Sequence, residues 1–273
     1  MVALIKAKDS DILYRKWDAA NPQAVLLLVH GLGAHSARWN FWGEYFAARG
    51  FSSYAIELKG FGQTPDRPRG HIDSFDIYYQ DTMKLRDAAQ KEHPGKKIFL
   101  IGESLGGLIS FMTAALWPDA FAGLVLMSPA FGNAMKFSPL DYLQLPFFLL
   151  VDQKHQVKMP FTAAMCTRDL AYQKVMDSNP DEYRSASVKL LVNTLLAQIK
   201  SASLAKRFRL PVLLQVAGHD VMISAPTAKK IFAKIGSSDK TLLEYPDMVH
   251  ALYIDLDREK VYADILAWLD KRR

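Results

Sequence analysis

With 273 residues, 50% of them hydrophobic and 23% charged, the chain is too apolar to be disordered, and roughly three-quarters of its unfolded surface can be buried in one domain with an insertion, or in two domains. The net charge of +6 favours solubility or contact with anionic surfaces, but the basic residues are dispersed and no basic helix interleaved with aromatics argues for nucleic acid. The single Cys166 excludes an internal disulfide framework and fits a reducing, cytoplasmic setting, while no apolar run reaches the about 18 residues of a membrane span and Met1 to Lys6 lacks the apolar core of a secretion signal.

Short apolar runs predict strands near 12–17, 25–29 and 51–57, a helix over 75–92, a strand over 98–101, a helix over 105–117 and a strand over 123–127. After an interruption the rhythm resumes, with strands near 211–217 and 241–245 and helices over 226–235 and 257–271. This alternation predicts an α/β fold with a mostly parallel sheet and helices on both faces. Strands that lack in–out alternation suit burial on both sides. Between Ser128 and Leu210 there are several helical segments and no clear core strand. A structureless loop of that length is improbable, so 1–130 and 210–273 are expected to form the core and 131–209 a helical cap.

Gly102-Glu103-Ser104-Leu105-Gly106 sits between a predicted strand and a predicted helix. That context turns a short G-x-S-x-G pattern into a proposal for a nucleophilic serine on a strained turn. A hydrolytic serine needs a base and an orienting carboxylate. Asp220 follows the strand near 211–217, and His250 follows the strand near 241–245. In an open parallel sheet such strand ends share one edge, which makes His250 the expected base and Asp220 the group that fixes its tautomer. Asp247 is the competing carboxylate, though an aspartate at a turn commonly caps backbone. His219 follows its strand but is expected to point elsewhere; His35, His71, His93 and His155 precede Asp220 or fall in loops and cap. Val25–Val29 followed by His30-Gly31-Leu32-Gly33 offers backbone donors for an oxyanion, and the amides of Leu32 and Leu105 are the candidates. His30 is expected to be a structural hydrogen-bonder. The Gly31–Gly33 pair is not a dinucleotide fingerprint, because Ser36 replaces the third glycine. No cofactor is expected, and no cluster has the spacing of metal ligands.

Longer stretches carry a family resemblance. His30-Gly-Leu-Gly-Ala-His35-Ser-Ala-Arg38-Trp39, Arg69-Gly-His71-Ile-Asp73-Ser-Phe75, Thr167-Arg168-Asp169 and the C-terminal Val261 to Leu269 resemble, in order, the oxyanion loop, the stretch after the third strand, a cap motif and the last helix of one group. The chain is similar, over nearly its whole length, to α/β-hydrolases of the monoacylglycerol lipase and lysophospholipase (serine aminopeptidase S33-like) group. The resemblance implies that Ser104, Asp220 and His250 form a triad and that Leu32 and Leu105 supply the oxyanion amides. Two positions depart from the group. Glu103 stands where histidine or glutamine is usual, and Glu57-Leu-Lys-Gly60-Phe61-Gly62 replaces Asp-x-x-Gly-His-Gly. A carboxylate at 103 is expected either to make local hydrogen bonds or to shift the pH optimum.

The region 140–151 is densely apolar, and Leu190, Leu191, Leu195, Leu196 and Ile199 recur at helical spacing. Such residues either pack the cap onto the core or line an acyl channel. Phe147, Phe148, Met135 and Met165 are the candidate substrate contacts, with methionines as adaptable walls. Cys166 is a small buried apolar residue or, alternatively, a reactive thiol near the acyl pocket. The expected function is hydrolysis of lipid-like esters, monoacylglycerols or lysophospholipids, through an acyl-enzyme. Small lipid or ester molecules are the expected partners, with peripheral membrane contact a further option, and the sequence leaves the oligomeric state open. A short-chain carboxylesterase is the alternative enzyme, and a binding protein without turnover the alternative of another class.

Overall fold

Eight strands of this computed structural model, which describes residues 2–273 but not the side chains of 139–144, form one sheet. They are β1 (Ile5–Lys6), β2 (Leu13–Trp17), β3 (Ala24–Val29), β4 (Phe51–Glu57), β5 (Lys97–Glu103), β6 (Gly123–Met127), β9 (Val212–Ala217) and β10 (Lys240–Tyr245), in the spatial order β1-β2-β4-β3-β5-β6-β9-β10. The pairs from β4 to β10 are all parallel, and β1–β2 and β2–β4 are antiparallel. Every residue of β3, β4, β6 and β9 is buried. Each large aliphatic side chain in them contributes about 1.5–3 kcal/mol of transfer free energy. β10 alone among the parallel strands alternates exposed and half-buried positions, because it is the sheet edge.

The helices of this core are α1 (Asn40–Ala47), α2 (Phe75–Glu92), α3 (Leu105–Leu116), α8 (Ala225–Lys234) and α9 (Arg258–Asp270). The hydroxyls of Ser74 and Ser224 cap α2 and α8 by accepting first-turn amides. α3 is buried at ten of its twelve positions and packs on β5, β6 and α2, the environment of a helix that is apolar all round. The sequence pattern does not predict α1. Its interior Gly43 is a poor helix former, but a Cβ there would come within 2.1 Å of the Trp17 ring, so close packing on β2 outweighs propensity. Trp42 and Phe46 of α1 stack at 4.3 Å and meet Tyr262 of α9 edge-on, which fastens both helices together.

Between β6 and β9 the chain forms α4 (Pro139–Val151), β7 (Gln156–Lys158), α5 (Ala163–Cys166), α6 (Leu170–Ser178), β8 (Ser185–Ser187) and α7 (Val188–Leu204). β7 and β8 make a separate two-stranded antiparallel sheet, and the segment adds no strand to the main one. Strands of two or three residues, such as β1, β7 and β8, are too short to leave a period in the sequence, which is why none was predicted. No helix among the described residues is long and apolar enough to cross a membrane.

Candidate active site

Ser104 stands at the corner between β5 and α3 with φ 54° and ψ −121°, a region that side-chain-bearing residues rarely occupy. Such a backbone costs about 1–3 kcal/mol and persists only where its surroundings enforce it. Here the Ser104 amide donates to the Met127 carbonyl, and its own carbonyl accepts from the amides of Leu108 and Ala130. Gly106 permits the corner to close. A Cβ on it would lie 2.1 Å from the Val29 carbonyl oxygen of the neighbouring strand. The serine is thereby thrown to the C-terminal edge of the parallel strands, with Leu105 beginning a helix whose first-turn amides have no partner within it.

Asp220 and His250 arrive at the same edge from the loops after β9 and β10. Asp220 Oδ2 is 2.7 Å from His250 Nδ1, while Oδ1 accepts from the amides of Met222 and Ile223, both at 2.9 Å. Burial opposes a charged Asp220, but the His250 ring and the two amides outweigh it and hold its pKa below the usual carboxylate range. Burial likewise opposes a charged His250, yet Asp220 and then Glu103 hold its pKa well above the ordinary histidine value. Asp247, the competing carboxylate, is exposed. His30 is structural: Nε2 accepts the Leu58 amide at 3.0 Å, Nδ1 lies 2.8 Å from the Gly31 carbonyl, and burial lowers its pKa to about 4. His35, His71, His93 and His155 are engaged with Asn179, Ser187, Tyr54 and the Phe148 ring respectively.

Thr167, Arg168 and Asp169 hold the loop that carries His250. The Arg168 amide and Nε both donate to Asp255 at 2.8 Å, and the Ala251 amide donates to the Cys166 carbonyl at 2.9 Å. Asp169 caps α6 by accepting the amides of Ala171 and Tyr172. Glu57 pins the loop after β3 by accepting the Ser36 amide at 2.6 Å and the Gln63 amide at 2.8 Å. Its carboxylate therefore supports the turn beside the candidate oxyanion amides.

Ser104, His250, Leu32 and Leu105 line one cavity of about 210 Å³, far above the ~10–15 Å³ that a single water requires. Most of its wall is apolar and comes from both sides of the cleft: Leu145 of α4, Leu191 and Leu195 of α7, Met159, Phe161, Met222 and Ile223. Of the four candidate substrate contacts, only Met135 lies in this wall. Phe147 is 60% exposed, and Phe148 turns to stack on His155 at 3.5 Å and lines a different cavity. Met165 is half-buried and packs against the core. A helix shows several faces, and an apolar run does not say which one meets the cleft. The side chains of Leu140, Tyr142 and Leu143 lie outside the described residues. Cys166 is buried and lines the cavity, and burial pushes its thiol pKa up, which disfavours the thiolate. The polar wall residues Arg38, Asn133, Thr194 and Gln198 had no distinguishing motif beyond the family-like loop that contains Arg38. Among the described residues no group of three or more His, Cys, Asp or Glu could hold a metal ion.

The family model described as serine aminopeptidase, S33, a hydrolase family, matches residues 20–257. The chain belongs to this family. This S33 family member is 26% identical over 274 residues to the human protein named monoglyceride lipase, covering 98% of this chain and 90% of that protein. It is 27% identical over 260 residues to a Bacillus subtilis protein named phospholipase YtpA, covering 93% and 98% of the two chains. Among solved structures, a monoacylglycerol lipase of Paleococcus ferrophilus superposes with a TM-score of 0.84 at 26% identity, over 97% of this chain and all of that one. The fold is that of the α/β-hydrolases, and the family member falls within their monoacylglycerol lipase and lysophospholipase group.

Proposed function

We propose that this S33 family member is a serine esterase of lipid-like carboxylic esters, with monoacylglycerols or lysophospholipids as its substrates. Ser104 is the nucleophile, His250 the general base and acid, and Asp220 the residue that orients and charges the ring. Ser104 Oγ bonds to the ester carbonyl carbon while its proton passes to His250 Nε2, and the carbonyl oxygen becomes an oxyanion facing the amides of Leu32 and Leu105. The positive end of the α3 dipole favours that charge. As the tetrahedral intermediate collapses, the alcohol leaves with the proton from Nε2. Water, deprotonated by the same nitrogen, then attacks the acyl-serine, and as that intermediate collapses Nε2 returns the proton to Ser104 Oγ and the fatty acid is released.

The observation that carries this reading is the 2.7 Å Asp220–His250 pair and the strained Ser104, with His250 and Ser104 lining the same apolar cavity. Segment 131–209 acts as the cap, and its apolar wall residues take the acyl chain. The exposed apolar faces of α4 and α7 favour peripheral contact with a lipid surface, and the buried Cys166 fits a cytoplasmic setting.

A fluorophosphonate probe tests the nucleophile. It is expected to label the wild type and not Ser104→Ala, whose kcat should fall by about four to six orders of magnitude with the fold retained. Labelling of both proteins would reject Ser104. Hydrolysis rates measured across acyl lengths and headgroups test the substrate class. A steep optimum at acetyl or butyryl esters would replace the lipid assignment with a short-chain carboxylesterase.

A further inference from the structure

His250 lies between two carboxylates. Asp220 Oδ2 is 2.7 Å from Nδ1, Glu103 Oε1 is 3.3 Å from Nε2, and all three side chains are buried. The other ionisable groups around the ring do not offset them. Arg38, in the turn before α1, is paired with Glu182; Asp255, in the loop after His250, is held by Arg168. Cys166 at the end of α5 and Tyr253 beyond His250 are both pushed up by burial and stay neutral. With one ring proton committed to Asp220, Nε2 and a carboxylate oxygen attract only if a second proton lies between them, since two bare acceptors repel. Among the described residues the Glu103 carboxylate makes no other hydrogen bond or ion pair. Its Oε2 is buried without a hydrogen bond among the described residues, against Gly31, where a Cβ would come within 2.5 Å of it.

We propose that Glu103 is a positioning residue that shares one additional proton with His250 Nε2, so that hydrolysis switches on, as pH rises, only when this proton has left. The inference rests on the serine-esterase reading, in which Nε2 must accept the Ser104 proton. Loss of that proton to solvent restores the lone pair on Nε2. When Ser104 then attacks and its proton reaches Nε2, the ring is positive again, and Glu103 stabilises it beside Asp220 until the leaving alcohol takes the proton. The raised pKa of His250, held up against burial by both carboxylates, agrees with this arrangement.

The pH profile of kcat/KM for p-nitrophenyl butyrate, measured on wild type, Glu103→Gln and Ser104→Ala, tests it. The acid limb of Glu103→Gln is expected one pH unit or more below that of wild type. Relative to each protein's own plateau, its kcat/KM at about pH 6 should then be higher by about tenfold or more. An acid limb at the wild-type position would overturn the role of Glu103. If Ser104→Ala hydrolyses the ester at the wild-type rate, the underlying esterase reading falls instead. Should Glu103→Gln fail to fold, the imidazole ¹⁵N shifts of labelled wild type read the same proton. A His250 ring doubly protonated through about pH 7 supports the proposal, and a neutral ring there refutes it.

Discussion

At Gly106 the motif and its structural cause can be separated. The pattern around Ser104 was legible because a pinched strand-to-helix corner excludes side chains, and only the neighbouring strand shows what they would strike. A methyl at 106 would lie 2.1 Å from the Val29 carbonyl and 2.6 Å from the His30 carbonyl, both backbone atoms that cannot rotate away. Gly106→Ala is therefore expected to cost about 3 kcal/mol, the upper end for overpacking. In a chain of this size the thermal midpoint should fall by roughly 6–12 °C. An unchanged midpoint in a calorimetric scan would show that the corner can relax. Asp220 and His250 were legible for a different reason, since each follows an apolar run that becomes a parallel strand. The Glu103 contact was legible only in part: a carboxylate beside Ser104 is expected to bond locally or to shift the pH optimum, but that it faces the His250 ring, 147 positions further along the chain, depends on the fold.

Among the elements, the loop between α6 and β8 ties the segment between β6 and β9 to the loop after β3. Arg38 is doubly bonded to Glu182, with Nε donating at 2.7 Å and Nη2 making a shorter contact, and both side chains are buried. His35 faces the same carboxylate at 3.5 Å, the Tyr183 amide donates to the Gly33 carbonyl at 2.9 Å, and Arg69 donates to the carbonyls of Pro180 and Asp181. The loop after β3, which carries the candidate oxyanion amide of Leu32, is thus tied to residues 180–183. Burial opposes the charge on Glu182, but Arg38 and His35 outweigh it and lower its pKa to about 2. A carboxylate depressed in the folded state stabilises the fold above its unfolded value near 4.3, and that contribution fades as pH falls toward 2. Glu182→Gln leaves a buried guanidinium without its counter-charge. It should destabilise the protein by about 3–5 kcal/mol in urea titration at neutral pH. The gap between wild type and variant should narrow on acidification below about pH 4, and a gap that stays constant would argue against the ion pair as the cause. None of this was readable from sequence, because 38 and 182 lie in separate loops whose meeting depends on the whole fold.

For the molecule as a whole, the alternation of strands and helices disclosed the parallel sheet. The apolar runs of the segment between β6 and β9 did not disclose their own direction. Five leucines and isoleucines of α7 recur at helical spacing, yet they divide three ways: Leu190 is buried, Leu191 and Leu195 line the cavity, and Leu196 and Ile199 face outward. α4 packs against α7 and exposes Phe147, Val151 and Leu150, the last at 86%. Surfaces of this kind mark interaction sites when they are contiguous. Here they flank helices whose other side chains, Leu145 and Leu195, form the cavity wall, so a lipid leaving a membrane would meet apolar surface along its path. Withdrawing a leucine-sized side chain from a lipid interface forfeits about 1.5–3 kcal/mol, a factor of roughly ten or more in partitioning. Leu150→Glu combined with Ile199→Glu should therefore reduce co-sedimentation with phosphatidylcholine vesicles by at least about a hundredfold if both residues insert. Hydrolysis of a dissolved short-chain ester should stay near the wild-type rate, since neither residue lines the cavity. Equal sedimentation of variant and wild type would argue against lipid contact through these two helices. Loss of dissolved-ester hydrolysis would instead mean that the two helices shape the cavity from outside.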